Sequence, residues 1–456
     1  MPVSPYATWM LEQEARALLT RLARVKPFAL QETMLPAAEL MPDAQMAIEN
    51  YLIRGRRHLR GLIDKFIEWL RSPQFRPVSA PEAQRRFTIL RLRFNAVLTQ
   101  FDLFNDVITQ RSENETGVWL SGLDIVAADA LRMPSAHLEA PALICYLDRG
   151  VGAAIRRART RLPGGGDNPV SIIKVPRERM VGSGIASSLI HEVGHQGAAM
   201  LGLVESLRPV LRGLGRGAAA DAEAWQLWER WISEIVADFW SVARVGITST
   251  MGLMGVVSLP RPFVFRVNRD DPHPTPWIRV KLSAAIGKAL YPQAAWDRLA
   301  TAWQEFYPLG GLPEETHRLI CMLERTMPGL VTVLVNHRPA ALRGSSLVEA
   351  LETAELQPAR LRVLLAQWRA QPQKMYDVRP TLVFAVIGQG RADGKVTPEE
   401  ESTVVGKLLS HWALRSTLEV TAACASALAR PCGCRACAKP EWQISSTTRR
   451  IKCRVQ

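Results

Sequence analysis

Residues 188–197 read SLIHEVGHQG, a stretch in which two histidines stand four positions apart and a glutamate follows the first. Positions i and i+4 of an α-helix lie on one face, so His191 and His195 can point at the same metal ion. Glu192 is rotated by about 100° from His191, where it can take a proton from a water molecule that the metal activates. The neighbouring residues are apolar, and a polar set among them is costly to bury unless each member has a partner. The stretch therefore predicts a helix that carries a metal site.

A catalytic zinc site has three protein ligands and leaves the fourth position for water. The extended motif HExxHxxGxxH is excluded, because Ala198 and Leu201 occupy its glycine and third histidine positions. The later segment WISEIVADFW, residues 231–240, offers Glu234 and Asp238 four positions apart on a second helix. Glu234 can supply the third ligand, and Asp238 can accept a hydrogen bond from the other ring nitrogen of a ligand histidine.

The combination HEVGH followed by EIVAD resembles the gluzincin metallopeptidases, the clan of thermolysin-like, CAAX-prenyl-protease-like and HtpX-like zinc enzymes. The resemblance covers roughly residues 140–290 and implies one Zn²⁺ per chain. It implies His191, His195 and Glu234 as zinc ligands, Glu192 as general base and Asp238 as the partner of a ligand. It also implies that NPVSIIKVP, residues 168–176, is an edge strand that pairs with an extended substrate.

The segment RDDPHPTPWIRV, residues 269–280, is similar to a His-Pro…Arg segment of HtpX-like peptidases. By that resemblance His273 stabilises the oxyanion of the reaction and Arg279 holds the acidic cluster. The alternative is a proline-rich loop in which His273 bonds to a backbone carbonyl.

The periodicity of the chain predicts a mainly α fold with a small β-sheet: an α+β zincin-like catalytic domain flanked by helical regions. Asp43 and Pro81 are typical of helix starts, and AAIRRARTRL, residues 153–162, predicts a basic helix between two strands. The strands are expected in APALICYLDRG, residues 140–150, and in NPVSIIKVP. The expected regions are 1–130 (helical), 131–295 (zincin-like metallopeptidase), 296–372 (helical connection), 373–420 (helical module) and 421–456 (cysteine-rich tail).

Residues 382–409, LVFAVIGQGRADGKVTPEEESTVVGKLL, resemble a tellurite-resistance TerB-like domain through ADGKVTPEEE between two apolar helices. The local pattern predicts a turn at Asp393 and Gly394, then a helix that starts near Thr397 with glutamates in its first turn. An EF-hand reading would need Gln389 and Arg391 as ligands, which argues against calcium. We expect a helical module that binds a protein partner.

The cysteines fall into two groups. Cys145 and Cys321 stand in apolar runs and are expected to be buried. In the tail, Cys432, Cys434 and Cys437 have spacing that can bind a metal, although an oxidisable tail explains them equally well.

The composition is that of an ordinary globular protein, with 47% hydrophobic and 22% charged residues among 456. The first residues lack the pattern of a secretory signal, and GITSTMGLMGVVSLP, residues 246–260, is too short to span a bilayer and is expected to be a buried helix or loop. A cytoplasmic location follows as the expectation. The net charge of +14 comes from arginines dispersed along helices, which favours a solvated basic face over a nucleic-acid site.

These patterns predict a zinc-dependent peptidase that acts on a peptide or protein substrate, with Glu192 as general base. The alternative is a non-enzymatic helical interaction or assembly protein in which the zinc site is structural or vestigial.

Overall fold

The computed structural model describes residues 3–25, 34–75, 77–133, 138–150, 152–162, 165–179, 182–268 and 270–429, with the backbone alone at 219 and 424–429. Over these ranges the protein is mainly helical, with one small mixed sheet, so the predicted fold class is confirmed. By their internal contacts, the described residues up to Leu414 form one compact unit, and those from Arg415 onward belong to a second. The region boundaries expected inside the first unit stay a prediction. Cys432, Cys434 and Cys437 lie outside the described residues.

Four long helices begin the chain: α1 (Pro5–Arg24), α2 (Pro42–Arg71), α3 (Ala80–Ile108) and α4 (Asn114–Leu131). A proline stands in the first turn of α1, α2 and α3, where its missing N–H costs no intrahelical hydrogen bond. The starts expected near Asp43 and Pro81 agree with these bounds to within one residue. Leu18, Ile63 and Phe94 are among the side chains that form the core between α1, α2 and α3.

The sheet contains β1 (Leu143–Asp148), β2 (Ala154–Arg156) and β3 (Ser171–Pro176) in the order β1-β3-β2. β1 runs parallel to β3, with Leu143 opposite Ser171, and β2 runs antiparallel to β3, with Ala154 opposite Lys174. The expectation that 168–176 forms an edge strand is therefore wrong, because β3 is paired on both sides and β2 is the edge on that side.

The basic helix expected at 153–162 is also wrong. Residues 154–156 pair with β3, and Arg159 then adopts a φ of 63°, a left-handed conformation that interrupts a helix. The Asn168 side chain donates to the carbonyls of Arg156 and Arg157, each at 3.2 Å. These partners are distant in sequence, so the local periodicity of the arginines did not indicate them.

Thirteen further α-helices follow the sheet in the described part of the chain. They are α5 (Ser183–Ile185), α6 (His191–Leu201), α7 (Leu203–Gly217), α8 (Ala222–Val245), α9 (Ile247–Val257), α10 (Arg261–Val264), α11 (Pro276–Leu290), α12 (Ala294–Phe306), α13 (Glu314–Asn336), α14 (Leu347–Ala350), α15 (Pro358–Ala370), α16 (Pro380–Ala392) and α17 (Pro398–Ala429). A π-helical turn, residues 186–190, joins α5 to α6, and short 3-10 turns connect several of the other helices.

Helix α8 lies at the centre of the main core. Its tryptophans Trp228, Trp231 and Trp240 are fully buried, and helices α6, α7, α9, α11, α13 and α16 all contact it. Helix α9 covers most of the apolar stretch 246–260 and is largely buried, which confirms the buried helix or loop expected there.

The predicted C-terminal module is partly incorporated into this core. Helix α16 is buried from Pro380 to Gly390, and its start is held by Asp129 of α4, which accepts from the N–H and the hydroxyl of Thr381 at 2.9 and 2.6 Å. Helix α17 begins where the sequence predicts, and Thr397 and Glu400 form a capping box at its start. Burial leaves α16 little surface for a partner, so the partner prediction depends on other surfaces of the module.

Two further sequence expectations concern burial and the membrane. Cys145 is buried as expected, whereas Cys321 is only half-buried. Among the described residues, the segment Glu314–Leu342 is long and apolar enough to cross a membrane by length and composition. Half of its most apolar window is packed inside the protein, as in the core helix of a globular domain, so this is weak evidence for a span.

A buried ion pair attaches the sheet to α4. Nη2 of Arg111 donates to Oδ1 of Asp124 at 3.1 Å and to the carbonyl of Cys145 in β1 at 2.8 Å, and the same Oδ1 accepts the Cys145 N–H at 2.7 Å. Both charged side chains are almost completely inaccessible to solvent. The pair replaces part of the hydrogen bonding to water that both groups lose on folding, since Nε and Nη1 of Arg111 have no hydrogen-bond partner among the described residues.

Replacing Asp124 by Ala should lower the free energy of unfolding by about 3–5 kcal/mol, because the Arg111 charge would remain buried without its partner. Urea unfolding monitored by circular dichroism measures the change. Glu82→Gln, which breaks an exposed ion pair with Arg85 and Arg86, is the control and should have little effect. Similar losses in both variants would contradict the importance of burial.

Candidate metal centre

The metal-site helix α6 begins directly after the π-helical turn 186–190, and His191 and Glu192 are its first two residues. Gly194 and Gly197 face α8: a Cβ atom at Gly194 would lie 2.9 Å from Cα of Ala237, and one at Gly197 would lie 2.4 Å from the Trp240 ring. Only glycine permits this close approach without movement of α8. The two glycines therefore bring the histidines of α6 within reach of the carboxylates of α8.

His191, His195 and Glu234 each offer a ligand atom, and these atoms lie within 4.8 Å of one another. Nε2 of His191 lies 3.2 Å from Oε2 of Glu234, and Nε2 of His195 lies 3.5 Å from Oε1. Donors bound tetrahedrally to an ion at 2.0–2.1 Å are separated by about 3.3 Å, which is close to both distances. The donor types and their spacing fit a metal, so this group can hold a metal ion.

Asp238 and Arg279 fix the orientation of His191. Oδ1 of Asp238 lies 2.8 Å from Nδ1 of His191, and Arg279 of α11 donates to both carboxylate oxygens of Asp238, at 2.7 and 2.8 Å. With the Nδ1 proton held by Asp238, Nε2 faces Glu234, as a metal ligand requires. The structure brings Asp238 and Arg279 to the positions that the sequence predicts.

The carboxylates control the proton affinity of His191. Burial disfavours its imidazolium, but the charge and hydrogen bond of Asp238, with a hydrogen bond from Glu234, outweigh burial and raise the pKa of His191 to about 9. Burial also opposes ionisation of Glu234, yet hydrogen bonds with His191 and His195 hold its pKa well below the usual range. For Asp238, Arg279 and His191 overcome burial and lower the pKa in the same way.

The remaining predicted residues lie around this group. Glu192 is 8% exposed, and its carboxylate has no ion pair or hydrogen bond within the described residues. His273 is half-exposed, with Nε2 3.3 Å from Oε2 of Glu234 and Nδ1 2.8 Å from Oδ1 of Asp271. The alternative in which His273 bonds to a backbone carbonyl is therefore wrong, since its Nδ1 partner is a carboxylate.

A pocket of about 270 Å³ adjoins His273 and Arg279. Most of its other lining residues are uncharged: Val257, Leu259, Phe263, Arg266, Asn268, Asp271, Pro274, Thr275 and Pro276. The site thus has a cleft on the side of His273.

Sequence reasoning missed two members of this environment. Asp271 orients His273, and Ser233 Oγ lies 3.5 Å from Nδ1 of His195. In the sequence, these two residues are indicated only by their proximity to predicted site residues. Asp271 stands two residues before His273, and Ser233 directly precedes Glu234.

Comparison with protein-family models, curated proteins and solved structures gives no match to this chain. The likeness to gluzincins therefore remains a resemblance in the motif residues.

Metal binding should release the His191 proton, because a ligand imidazole has to be neutral and His191 holds a proton below pH 9 in the metal-free protein. At about pH 8, zinc titrated into the wild type should release about one proton more than zinc titrated into Asp238→Asn, in which the His191 pKa returns toward about 6.5. Calorimetry in buffers of different ionisation enthalpy measures the difference. Equal release from both proteins would contradict the control of His191 by Asp238.

Proposed function

We propose that the protein is a zinc-dependent hydrolase of peptide bonds, with His191, His195 and Glu234 as the metal ligands. The observation that carries the proposal is the three-donor group spaced as zinc requires, with Asp238 and Arg279 behind it and a pocket beside it. Two imidazoles and one carboxylate are a donor set typical of catalytic zinc. A site with three protein ligands also leaves a coordination position for water and substrate.

Zinc, when bound, polarises a carbonyl group and lowers the pKa of water to about 7. Glu192 follows the proposed ligand His191 on the same helix, and among the described residues its carboxylate has no hydrogen bond or ion pair, although its charge interacts with Arg279. In the proposed reaction Glu192 takes the proton of the attacking water and then delivers it to the leaving amine. Its low exposure keeps bulk water from competing for that proton.

His273 and Arg279 complete the proposed machinery. His273 is half-exposed at the mouth of the pocket, where its imidazole can donate to the oxygen that gains negative charge during attack. Arg279 acts through Asp238, which holds the His191 ring, and is therefore a positioning residue.

The alternative function is a helical interaction or assembly protein with a structural or vestigial zinc site. One observation favours it: Nε2 of His273 lies 3.3 Å from Oε2 of Glu234, close enough for His273 to become a fourth ligand that closes the site. The two functions thus differ in what His273 does.

The peptidase proposal predicts that Glu192→Gln keeps about one zinc per chain but loses at least about 100-fold in the rate of casein cleavage, because the general base is removed. Elemental analysis and release of casein fragments measure the two quantities. Glu205→Gln, an exposed change on α7, is the matched control and should cleave like the wild type. Undiminished cleavage by Glu192→Gln would rule out the assigned role, and zinc without cleavage by the wild type would favour the alternative.

His273→Ala separates the two functions. If His273 stabilises the oxyanion, kcat should fall by about 100- to 1,000-fold while zinc affinity, measured against a chelating dye, stays close to that of the wild type. If His273 is a closing ligand, zinc affinity should fall instead. His317→Ala, an exposed histidine on α13, serves as the control for both measurements.

A further inference from the structure

A groove of about 340 Å³ lies between α1 and α2, in a part of the chain that the metal centre does not use. Its lining combines apolar and cationic side chains: Leu19, Leu22, Ala23, Ile53, Arg56, Arg57 and Arg60. Leu22 is buried, and Leu19 and Ile53 are half-buried, so the groove has an apolar floor.

The three arginines of the groove have no acceptor within the described residues. Other arginines of the N-terminal helices do: Arg71 of α2 pairs with Glu12, and Arg85 of α3 pairs with Glu82. Arg56, Arg57 and Arg60 stand within five positions on α2, so three positive charges are concentrated at one rim. The chain as a whole carries a net charge of +14. This concentration of uncompensated charge favours an anionic ligand.

The outer face of α1 extends the same surface with apolar side chains. The exposed residues Trp9, Arg16 and Ala23 follow one another at intervals of seven positions. This spacing keeps them on nearly one side of the helix, and Ala23 is the one that lines the groove. Tyr6 and Met10 flank Trp9; Tyr6 is 69%, Trp9 54% and Met10 48% exposed. The rings of Tyr6 and Trp9 stack at 5.5 Å. Exposed aromatic residues with arginines on a helix are typical of proteins that lie on a membrane surface.

We propose that this face of α1 and α2 binds the surface of an anionic phospholipid bilayer. Arg56, Arg57 and Arg60 contact lipid phosphates. The side chains around Trp9 enter the region below the headgroups, and the apolar groove faces the lipid. Nucleic acid is a less suitable occupant, because binding its phosphates would leave the apolar floor of the groove unused. The inference is independent of the proposed peptidase activity.

Sedimentation of the full chain with vesicles tests the proposal. The wild type should bind vesicles of phosphatidylcholine mixed with phosphatidylglycerol, not vesicles of phosphatidylcholine alone, and added salt should weaken the binding. The variant R56Q/R57Q/R60Q should bind the mixed vesicles about a hundredfold more weakly. The control R216Q/R298Q/R360Q removes the same charge from exposed arginines elsewhere and should stay close to the wild type.

Four results would overturn the proposal. One is equal loss of binding in the two triple variants, which would mean that net charge alone acts. Another is indifference of the wild type to phosphatidylglycerol. A third is stronger release from the vesicles by inorganic phosphate than by sodium chloride at equal ionic strength, which would identify a free phosphate as the ligand. The last is arginine-dependent binding to an oligonucleotide without binding to vesicles. Circular dichroism of each variant confirms that the fold is retained, and Y6S/W9S should lower vesicle affinity several-fold through a different part of the surface.

Discussion

The ion pair between Arg279 and Asp238 lies between the apolar core and the pocket, and the positions of three helices depend on it. A carboxylate that leaves water costs several kcal/mol unless charged partners and hydrogen bonds replace its solvation. Helix α8 is buried nearly all round and still carries Asp238 and Glu234. The partners that compensate them come from α11 in Arg279 and from α6 in His191 and His195. A displacement of either helix would leave a buried charge unpaired, so the ionic cluster and the helix packing stabilise each other.

Much of the candidate site was accessible from the sequence because its geometry is local. The spacing of His191 and His195, and of Glu234 and Asp238, places each pair on one helix face in any α-helix. That the two faces meet depends on Gly194 and Gly197, whose absent side chains let α6 approach α8. The π-helical turn before His191 and the contact of Asp271 with His273 have no such periodic signal.

The errors in the fold arose where distant residues decide the local structure. The arginine-rich segment 153–162 has a period compatible with a helix, yet residues 154–156 pair with β3, and Asn168 binds the backbone that follows. The edge position expected for β3 came from the resemblance to gluzincins, and β2, which the local pattern did not indicate, covers that edge. The helix starts expected near Asp43, Pro81 and Thr397 agree with the structure to within one residue, because a proline in the first turn of each helix acts on the backbone directly beside it.

The charges around His191 are relevant to the proposed metal site. Arg279 interacts with the charges of Asp238, Glu234 and Glu192, so three carboxylates act in one buried region. If the half-exposed pair His273 and Asp271 is left aside, the positive groups without a metal are Arg279 and protonated His191, against three carboxylates. In the proposed enzyme a divalent ion would displace the His191 proton and raise the local charge by one, which would balance the three carboxylates. Since an uncompensated charge is unfavourable in a buried region, the proposed metal and the proposed base Glu192 would stabilise each other.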